Sequence, residues 1–291
     1  MIDFVIIDRL TGGRCGTFDT TCPFCSESRH SPANQRAKIF RIWRIEPRFA
    51  GYRCAHCGAK GYARDQNSAP PDPVKLAKAR YEAAERNRIH KIERLSKARW
   101  LWSKRRPIVG SIAERYPRGR GIGCPLPATL GFLPAWGDYP PVMIAAFGLA
   151  HEVEPGVIEI ASDAVRGVHL TRLLPDGSDR ERGDRAKIMI GHSTGSPIVL
   201  APPNDLLGLA MVEGIEDALS AHEATGLGAW AAGCASRLPA LAAVVPDYIE
   251  AATILAHEDL DGQRYAADLH RRLLVRGIES DLITLNQQVA A

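Results

Sequence analysis

Four cysteines near the start of the chain form two closely spaced pairs. The first pair is Cys22-Pro-Phe-Cys25, and the second, Cys54-Ala-His-Cys57, follows after 28 intervening residues. Each CxxC turn can direct two thiolates at one point, so two such turns complete a tetrahedral zinc site. A redox-active dithiol is the alternative, but it would need a strand–helix–strand context that this stretch does not have. The spacing therefore predicts a structural zinc ion bound by all four cysteines.

The residues between the two pairs have the pattern of a β-hairpin. Residues 38–45, Lys-Ile-Phe-Arg-Ile-Trp-Arg-Ile, interleave basic with β-branched and aromatic side chains, which favours a strand. Pro47 to Gly51 is predicted to form the turn, and residues 52–53 then lead into the second cysteine pair. We therefore expect residues 1–66 to form a zinc ribbon, a small β domain.

The predicted hairpin is rich in cationic and aromatic side chains. Basic residues bind phosphates, and aromatic rings stack on unpaired bases. A solvated charged face above a small apolar core is the alternative. The positive charge of this part of the chain favours single-stranded nucleic acid as a partner, and the candidate contacts are Lys38, Arg41, Trp43 and Arg44.

Charge is unevenly distributed along the 291 residues, whose formal net charge is +4. Residues 1–118 carry 25 Lys and Arg against 11 Asp and Glu, whereas residues 119–291 carry 12 against 22. A basic front and an acidic back suggest binding of a polyanion and a separate site built from carboxylates. Apolar runs are shorter than the roughly 18–20 residues that span a bilayer, and the N-terminus does not have the pattern of a secretory signal. We therefore expect a cytoplasmic protein without a membrane partner.

Residues 67–106 are predicted to form a proline-rich linker followed by a charged helix. The helix runs from Val74 to about Lys104, with apolar residues at three- to five-residue steps along one face. We expect a solvated connector that docks on the next domain; the alternative is that it also guides a nucleic-acid strand.

Residues 107–205 indicate a mixed α/β subdomain. A hairpin or meander is predicted from residues 168–174 and 187–190, with a Pro-Asp-Gly-Ser turn after its first strand. Four basic residues on or beside this hairpin are candidate contacts to nucleotide phosphates or template: Arg166, Arg172, Arg185 and Lys187.

Strands and helices alternate from residue 206 to the end. The predicted strands are 209–212, 228–231, 252–256 and 280–285, and the predicted helices are 215–225, 237–245 and 262–276. Strands separated by helices imply a parallel sheet with right-handed crossovers. Polar residues at the C-terminal ends of such strands lie where open α/β sheets bind ligands. Glu213 follows the first strand, and Glu258, Asp259 and Asp261 follow the third, so their oxygens could bind Mg²⁺.

Two motifs in this region resemble those of the Toprim domain. They are residues 212–218, Val-Glu-Gly-Ile-Glu-Asp-Ala, and residues 257–267, His-Glu-Asp-Leu-Asp-Gly-Gln-Arg-Tyr-Ala-Ala. This domain is shared by bacterial-type DNA primases, topoisomerases and some nucleases. The order of a zinc ribbon, a basic subdomain and a Toprim-like region resembles that of primases encoded by phages, plasmids and other mobile elements.

The resemblance implies an α/β fold with a Toprim-type parallel sheet and flanking helices, preceded by a mixed α/β subdomain and an N-terminal zinc ribbon. It implies a DNA primase that makes short RNA primers on single-stranded DNA by metal-dependent nucleotidyl transfer. The implied partners are the DNA template, NTPs and a separate replicative helicase. The alternatives are a catalytically weak accessory protein of replication that binds nucleic acid, and a Toprim nuclease.

The resemblance also assigns roles to acidic residues. In the family, a glutamate and an Asp-x-Asp pair bind catalytic Mg²⁺ or Mn²⁺, and the matching positions here are Glu213, Asp259 and Asp261. Asp217 matches a further acidic position of the glutamate motif.

The chain departs from the family pattern D-x-D-x-x-G. Counting back from Gly262 places His257 at the first aspartate and Asp259 at the second. Counting the Asp-x-Asp pair directly gives Asp259 and Asp261, with the glycine too early. The sequence leaves open which pair corresponds to the family's ligands.

Overall fold

The computed structural model describes residues 2–29, 32–65, 72–183 and 185–285. Residues 67–71 of the predicted linker lie outside these ranges. Contacts group the chain into two compact units, residues 1–88 and 89–291. The predicted four-part domain organisation stays a prediction. None of the described helices is both long enough and apolar enough to cross a membrane.

The first unit is built on a four-stranded antiparallel sheet. Its elements are α1 (Phe4–Thr11), β1 (Gly16–Thr20), α2 (Pro32–Gln35), β2 (Phe40–Glu46), β3 (Phe49–Cys54) and β4 (Lys60–Arg64), and the strands pair in chain order. Asp3 caps the start of α1, where its carboxylate accepts a hydrogen bond from the Val5 N–H, and Gly12 in the left-handed conformation caps its end. Ile7 of α1 packs with Phe40 and Ile42 in the core of this unit.

The predicted hairpin is confirmed, but its predicted turn is wrong. Strand β3 already begins at Phe49, which pairs with Glu46 on one side and with Arg64 on the other. Strand β4 supplies hydrogen-bond partners along the far side of β3, so residues 49–51 belong to the sheet. The turn is confined to Pro47 and Arg48.

The predicted charged helix is confirmed as α3 (Pro73–Ser103). Its C-terminal part packs in the second unit, where Ala98 and Trp102 lie in a cluster with Ile144 and Val168. The expected apolar face along the rest of the helix is not packed: Val74 is 76% exposed and Tyr81 is 74% exposed.

An antiparallel sheet forms the first half of the second unit. The elements are β5 (Arg106–Pro107), α4 (Ile112–Gly119), β6 (Leu130–Leu133), β7 (Val142–Phe147), β8 (His151–Glu154), β9 (Val157–Glu159), β10 (Gly167–Arg172), β11 (Lys187–Gly191) and β12 (Ile198–Ala201). The sheet order is β11-β10-β7-β6-β5, and β8 and β9 form a separate hairpin. The predicted antiparallel pairing of residues 168–174 with 187–190 is confirmed as β10 and β11.

A mostly parallel sheet forms the second half. Its elements are β13 (Gly208–Val212), α5 (Ile215–Thr225), β14 (Gly228–Ala231), α6 (Leu238–Leu241), β15 (Ala251–His257), α7 (Leu260–Val275) and β16 (Glu279–Leu285). The order is β12-β14-β13-β15-β16, in which β12 is antiparallel and the other four strands are parallel. The predicted parallel arrangement is therefore present. The predicted helix at 237–245 is interrupted, because 3₁₀ turns flank the short α6.

Two strand-to-strand connections of this sheet run towards opposite edges. The chain moves from β13 to its neighbour β14 through α5, and from β15 to its neighbour β16 through α7. Right-handed crossovers then place α5 and α7 on opposite faces. The buried residues agree, since Val212 packs in the cluster of α5 and Met211 in the cluster of α7. The C-terminal ends of β13 and β15 therefore flank a topological switch point.

A partly buried carboxylate links α5 to the antiparallel sheet. The Tyr116 hydroxyl of α4 donates a hydrogen bond of 2.5 Å to Glu216 in the first turn of α5, and the Lys187 ammonium of β11 lies 3.3 Å from the same carboxylate. Burial alone would raise the pKa of Glu216, but Lys187 and Tyr116 outweigh it and lower the pKa to about 2. Glu216 is therefore ionised and serves as a structural contact.

Replacing Glu216 by glutamine should lower the free energy of unfolding by about 2 kcal/mol at pH 7, because Lys187 loses its counter-charge. The folded-state pKa lies below the ordinary value of 4.5. This contribution is therefore present above about pH 4.5 and is lost as the pH falls towards 2. Urea denaturation at a series of pH values measures both effects, with Glu258→Gln at an exposed position as the control. Equal stability of wild type and Glu216→Gln at pH 7 would contradict the assignment.

Candidate functional sites

The four predicted zinc ligands converge in the first unit. Their sulfur atoms all lie within 4.8 Å of one another, with 3.9 Å between Cys22 and Cys57 and 3.8 Å between Cys25 and Cys54. A tetrahedron with Zn–S bonds of about 2.3 Å has edges of about 3.8 Å. The backbone N–H groups of Phe24 and His56 each donate to a cysteine sulfur at 3.4 Å, which stabilises thiolates. The four cysteines therefore fit a zinc ion.

One face of the ribbon sheet is exposed and combines cationic with aromatic side chains. Residues paired directly across antiparallel strands point to the same side, so the register defines two rows on this face. They are Asp19–Arg41–Arg53–Lys60 and Thr17–Trp43–Gly51–Tyr62. We call these two rows the outer face of the ribbon.

The outer face contains residues that the sequence analysis did not single out. Lys60 and Tyr62 of the outer face, and Arg64 at the end of β4, alternate with small residues along this strand, and all three are exposed. That period-two pattern directly after the second cysteine pair was the signal that could have identified them. Gly51, which has no side chain, stands between Trp43 and Tyr62 in this row, and Tyr62 is 57% exposed.

Arg41 and Arg44 lie on opposite faces of β2. Arg41 is half-exposed on the outer face, where it forms two 2.7 Å hydrogen bonds with Asp19. Arg44 is 4% exposed; its guanidinium lies 2.6 Å from Asp8 and 2.8 Å from the Thr11 hydroxyl, and it stacks over the Phe4 ring. Arg44 therefore holds α1 against the sheet and does not present its charge to a ligand, contrary to its predicted role as a nucleic-acid contact. Lys38 is exposed directly before β2.

In the second unit, polar side chains gather at the switch point of the parallel sheet. Glu213 directly follows β13, and Asp217 lies in the first turn of α5. His257 ends β15, and its Nε2 lies 3.2 Å from the Asp217 Oδ2 atom. Asp259 caps α7 by accepting a 2.7 Å hydrogen bond from the Gly262 N–H. We call these four residues the switch-point cluster.

The electrostatics of Glu213 reflect this neighbourhood. Burial raises the pKa of the Glu213 carboxyl, and the negative charges of Asp259 and Asp217 raise it further, whereas His257 and the backbone N–H of Ala235 oppose the rise. A cation bound beside Glu213 would offset this repulsion. Asp261 is exposed in the first turn of α7 and is not among the main influences on Glu213.

The predicted magnesium ligands follow neighbouring strands of the sheet but do not converge on one point. Among the residues that the structure describes, only the four cysteines bring three or more His, Cys, Asp or Glu ligand atoms within 4.8 Å of one another. Glu213, Asp259 and Asp261 therefore share one edge of the sheet without forming an assembled site. The pairing of His257 with Asp217 was also missed, since sequence spacing does not reveal which strand end meets the start of α5.

A cavity of about 430 Å³ lies beside the cluster, between α5 and the neighbouring face of β15 and β16. Asp217 and His257 line its polar part, and Leu255 and Ile283 contribute to its apolar wall. A volume of this size is in the range of small-ligand sites.

The four basic residues predicted to bind nucleotide phosphates do not form one group. Lys187 pairs across the strands with Thr171, so both side chains lie on one face of the sheet. Arg172 follows Thr171 along β10 and therefore lies on the opposite face. Each also has an internal carboxylate partner: Lys187 lies 3.3 Å from Glu216, and Arg172 lies 2.8 Å from Glu181. Arg166 and Arg185 are exposed.

Comparison with known proteins gives limited matches. A family model described as a domain of unknown function, DUF7146, matches residues 93–200. No curated protein matches the chain. Among solved structures, the crystal structure of the zinc-binding and RNA polymerase domains of the Aquifex aeolicus primase is 16% identical with a TM-score of 0.46, and the match covers 97% of this chain and 77% of that chain.

Removing one zinc ligand should unfold the first unit. In Cys54→Ser, we expect loss of bound zinc and of the protection of β2–β4 amides from hydrogen exchange, because metal binding supplies folding free energy in such small modules. Cys15→Ser, at an exposed cysteine outside the cluster, is the control and should retain about one zinc per chain by elemental analysis. A Cys54→Ser protein with full zinc content and native exchange would rule out this site.

Proposed function

We propose that the protein is a DNA primase with a Toprim-type catalytic sheet, which synthesises short RNA primers on single-stranded DNA by metal-dependent nucleotidyl transfer. The observation that carries the proposal is the switch-point cluster. Its Glu213 and Asp259 follow two adjacent parallel strands, where open α/β sheets bind ligands. The zinc-binding ribbon with its exposed basic and aromatic face supports nucleic acid as the partner.

The donor chemistry of the cluster fits a divalent cation. Carboxylate oxygens are preferred by Mg²⁺ and Mn²⁺, and an imidazole nitrogen is better suited to transition metals than to Mg²⁺. Glu213, Asp259 and Asp261 are the proposed ligands, with His257 and Asp217 beside them. When bound, the cation would supply charge neutralisation at the transferring phosphate.

The residues of the chain have separable tasks in this proposal. Glu213 provides a carboxylate whose charge is disfavoured until a cation approaches, as its raised pKa indicates. Asp217 orients the His257 ring through their 3.2 Å contact. The exposed Arg166 and Arg185 are the proposed contacts for nucleotide phosphates, because Arg172 and Lys187 already have carboxylate partners.

The outer face of the ribbon is the proposed template-binding surface. Trp43 and Tyr62 offer rings to unpaired bases, and Arg53 and Lys60 offer charges to the backbone. Neither Arg53 nor Lys60 has an ion-pair partner among the described residues. A helicase partner and the use of NTPs belong to the same proposal.

Trp43→Ala and Tyr62→Ala should each weaken binding of fluorescein-labelled oligo(dT) by about 10-fold, because stacking on one base contributes about 1–3 kcal/mol. Fluorescence anisotropy measures the affinity. Trp136→Ala removes a tryptophan of the second unit that is 77% exposed, against 57% for Tyr62, and is the control. Equal affinities for all three variants and the wild type would refute template binding by this face.

Glu213→Gln should reduce primer synthesis more than about 100-fold and leave oligo(dT) affinity within about 2-fold, because a lost metal ligand removes several kcal/mol of transition-state stabilisation. The assay follows labelled NTPs incorporated on single-stranded DNA with Mg²⁺ or Mn²⁺. Glu258→Gln changes an exposed neighbouring carboxylate and should retain activity. Full activity of Glu213→Gln would contradict the proposal.

A second candidate function is a nucleic-acid-binding accessory protein of replication with little catalytic activity. The specific observation that favours it is His257, which contacts Asp217 and stands at the first aspartate position when the resembled motif is aligned on Gly262. Under this alternative, the wild-type protein binds oligo(dT) but incorporates no NTPs with either metal on varied templates. Cutting of DNA without NTPs would instead indicate the nuclease.

A further inference from the structure

Helix α3 is exposed along most of its length. Ala98 and Trp102 are its buried residues, and both lie in its last two turns. Nearer the N-terminus, even the large apolar side chains are open to solvent: Val74, Tyr81 and Ile89 are 76%, 74% and 45% exposed. A helix without a packed apolar face is unusual in a globular protein. Packing therefore does not account for this part of the helix, which leaves the distribution of its charges as the property to explain.

The charges of α3 are segregated around the helix axis. Residues 73–103 contain nine Lys and Arg against three Glu. At about 100° per residue, the three glutamates fall within an arc of roughly 80°. A separate arc of roughly 140° contains five cations and no carboxylate. We call this arc the basic face of α3, and its cations are Arg80, Arg88, Lys91, Arg94 and Arg99.

The cations of this face differ in their contacts. Near the C-terminal end, Arg94 donates to the Met189 carbonyl at 3.3 Å, and Arg99 donates to the Val165 carbonyl at 3.0 Å. These two residues hold the C-terminal part of the helix within the second unit. Towards the N-terminus, Arg88 pairs with Glu85 at 2.7 Å, but both side chains are largely exposed, and such surface pairs contribute little.

Arg80 and Lys91 have no ion-pair partner among the residues that the structure describes. They are eleven residues apart, which corresponds to about 16 Å along the axis at 1.5 Å per residue. That distance spans several phosphates of a nucleic-acid strand. The exposed ring of Tyr81 adjoins Arg80.

We propose that the basic face of α3 binds the phosphate backbone of single-stranded nucleic acid, independently of base sequence. Cations spaced along one axis without carboxylates complement a linear polyanion. Ala77 and Ala84 within this arc are small, and the exposed ring of Tyr81 at its edge is of the kind that stacks on unpaired bases. The inference rests on the proposed function only in taking nucleic acid as the ligand, and it does not depend on catalysis.

Two triple variants of the full chain test the proposal. The first replaces Arg80, Arg88 and Lys91 by glutamine. The second replaces Lys75, Lys78 and Lys97 by glutamine; these exposed cations lie on the side of the same helix that carries the glutamates. Both variants lose three positive charges, and glutamine is a good helix former. Circular dichroism should show unchanged helix content in both.

Oligo(dT) affinity is then measured by anisotropy over a series of salt concentrations. The basic-face variant should bind at least about 10-fold more weakly at 100 mM salt, and the slope of log K against log salt should fall by about 2, which is three contacts at about 0.7 each. The control variant should keep its slope within about 0.5 of the wild type. Equal losses in both variants would overturn the proposal in favour of net charge alone, and so would an unchanged basic-face variant.

Primer synthesis by the wild type separates the two hypotheses. If wild type binds oligo(dT) with the expected dependence on the basic face but makes no primers, the proposed function fails and the inference about α3 stands. If primers are made and the basic-face variant binds and synthesises like wild type, the inference about α3 fails alone. Wild-type protein that does not bind oligo(dT) overturns both.

Discussion

The ion pair of Glu216 with Lys187 holds the first turn of α5 against β11. Glu216 reaches towards β11 and α4, and the next residue, Asp217, is rotated by about 100° and reaches His257 instead. One helical turn therefore serves two purposes. It attaches the parallel sheet to the antiparallel sheet, and it places a carboxylate beside the end of β15. Glu213 lies three residues before Glu216, so its backbone position depends on the same partly buried contact.

Much of the second unit was predictable because central parallel strands are buried on both faces. Such strands appear as short apolar runs, and β13 is buried at every position. Helices between these runs then imply the parallel order and the acidic strand ends. The contact between His257 and Asp217 was not predictable, because it joins residues 40 positions apart. It depends on the packing of α5 against the sheet, which sequence spacing does not specify.

The sequence indicates that residues 38–45 form a strand, but the prediction placed basic residues from both faces of that strand in one binding surface. Arg41 and Arg44 are separated by an odd number of positions, so one strand cannot present both to the same ligand. The structure places Arg41 outside and Arg44 in the core. Arg172 and Lys187 were grouped by their charge, whereas the register of β10 with β11 separates them. The residues of β4 do not show how this strand pairs with β3. The position of Tyr62 in the same row as Trp43 therefore becomes visible only in the folded sheet.

The two-sided construction of β2 limits how the ribbon can change in length. Phe40, Ile42 and Arg44 face the core, and Arg41 and Trp43 face outward. One residue inserted within this strand would exchange the two sets, exposing the core side chains and burying the outward ones. Core stability and the outward surface would then be lost together. Changes of length in this module are therefore expected between strands, with the segment from the first cysteine pair to β2 as the place where insertions leave both faces intact.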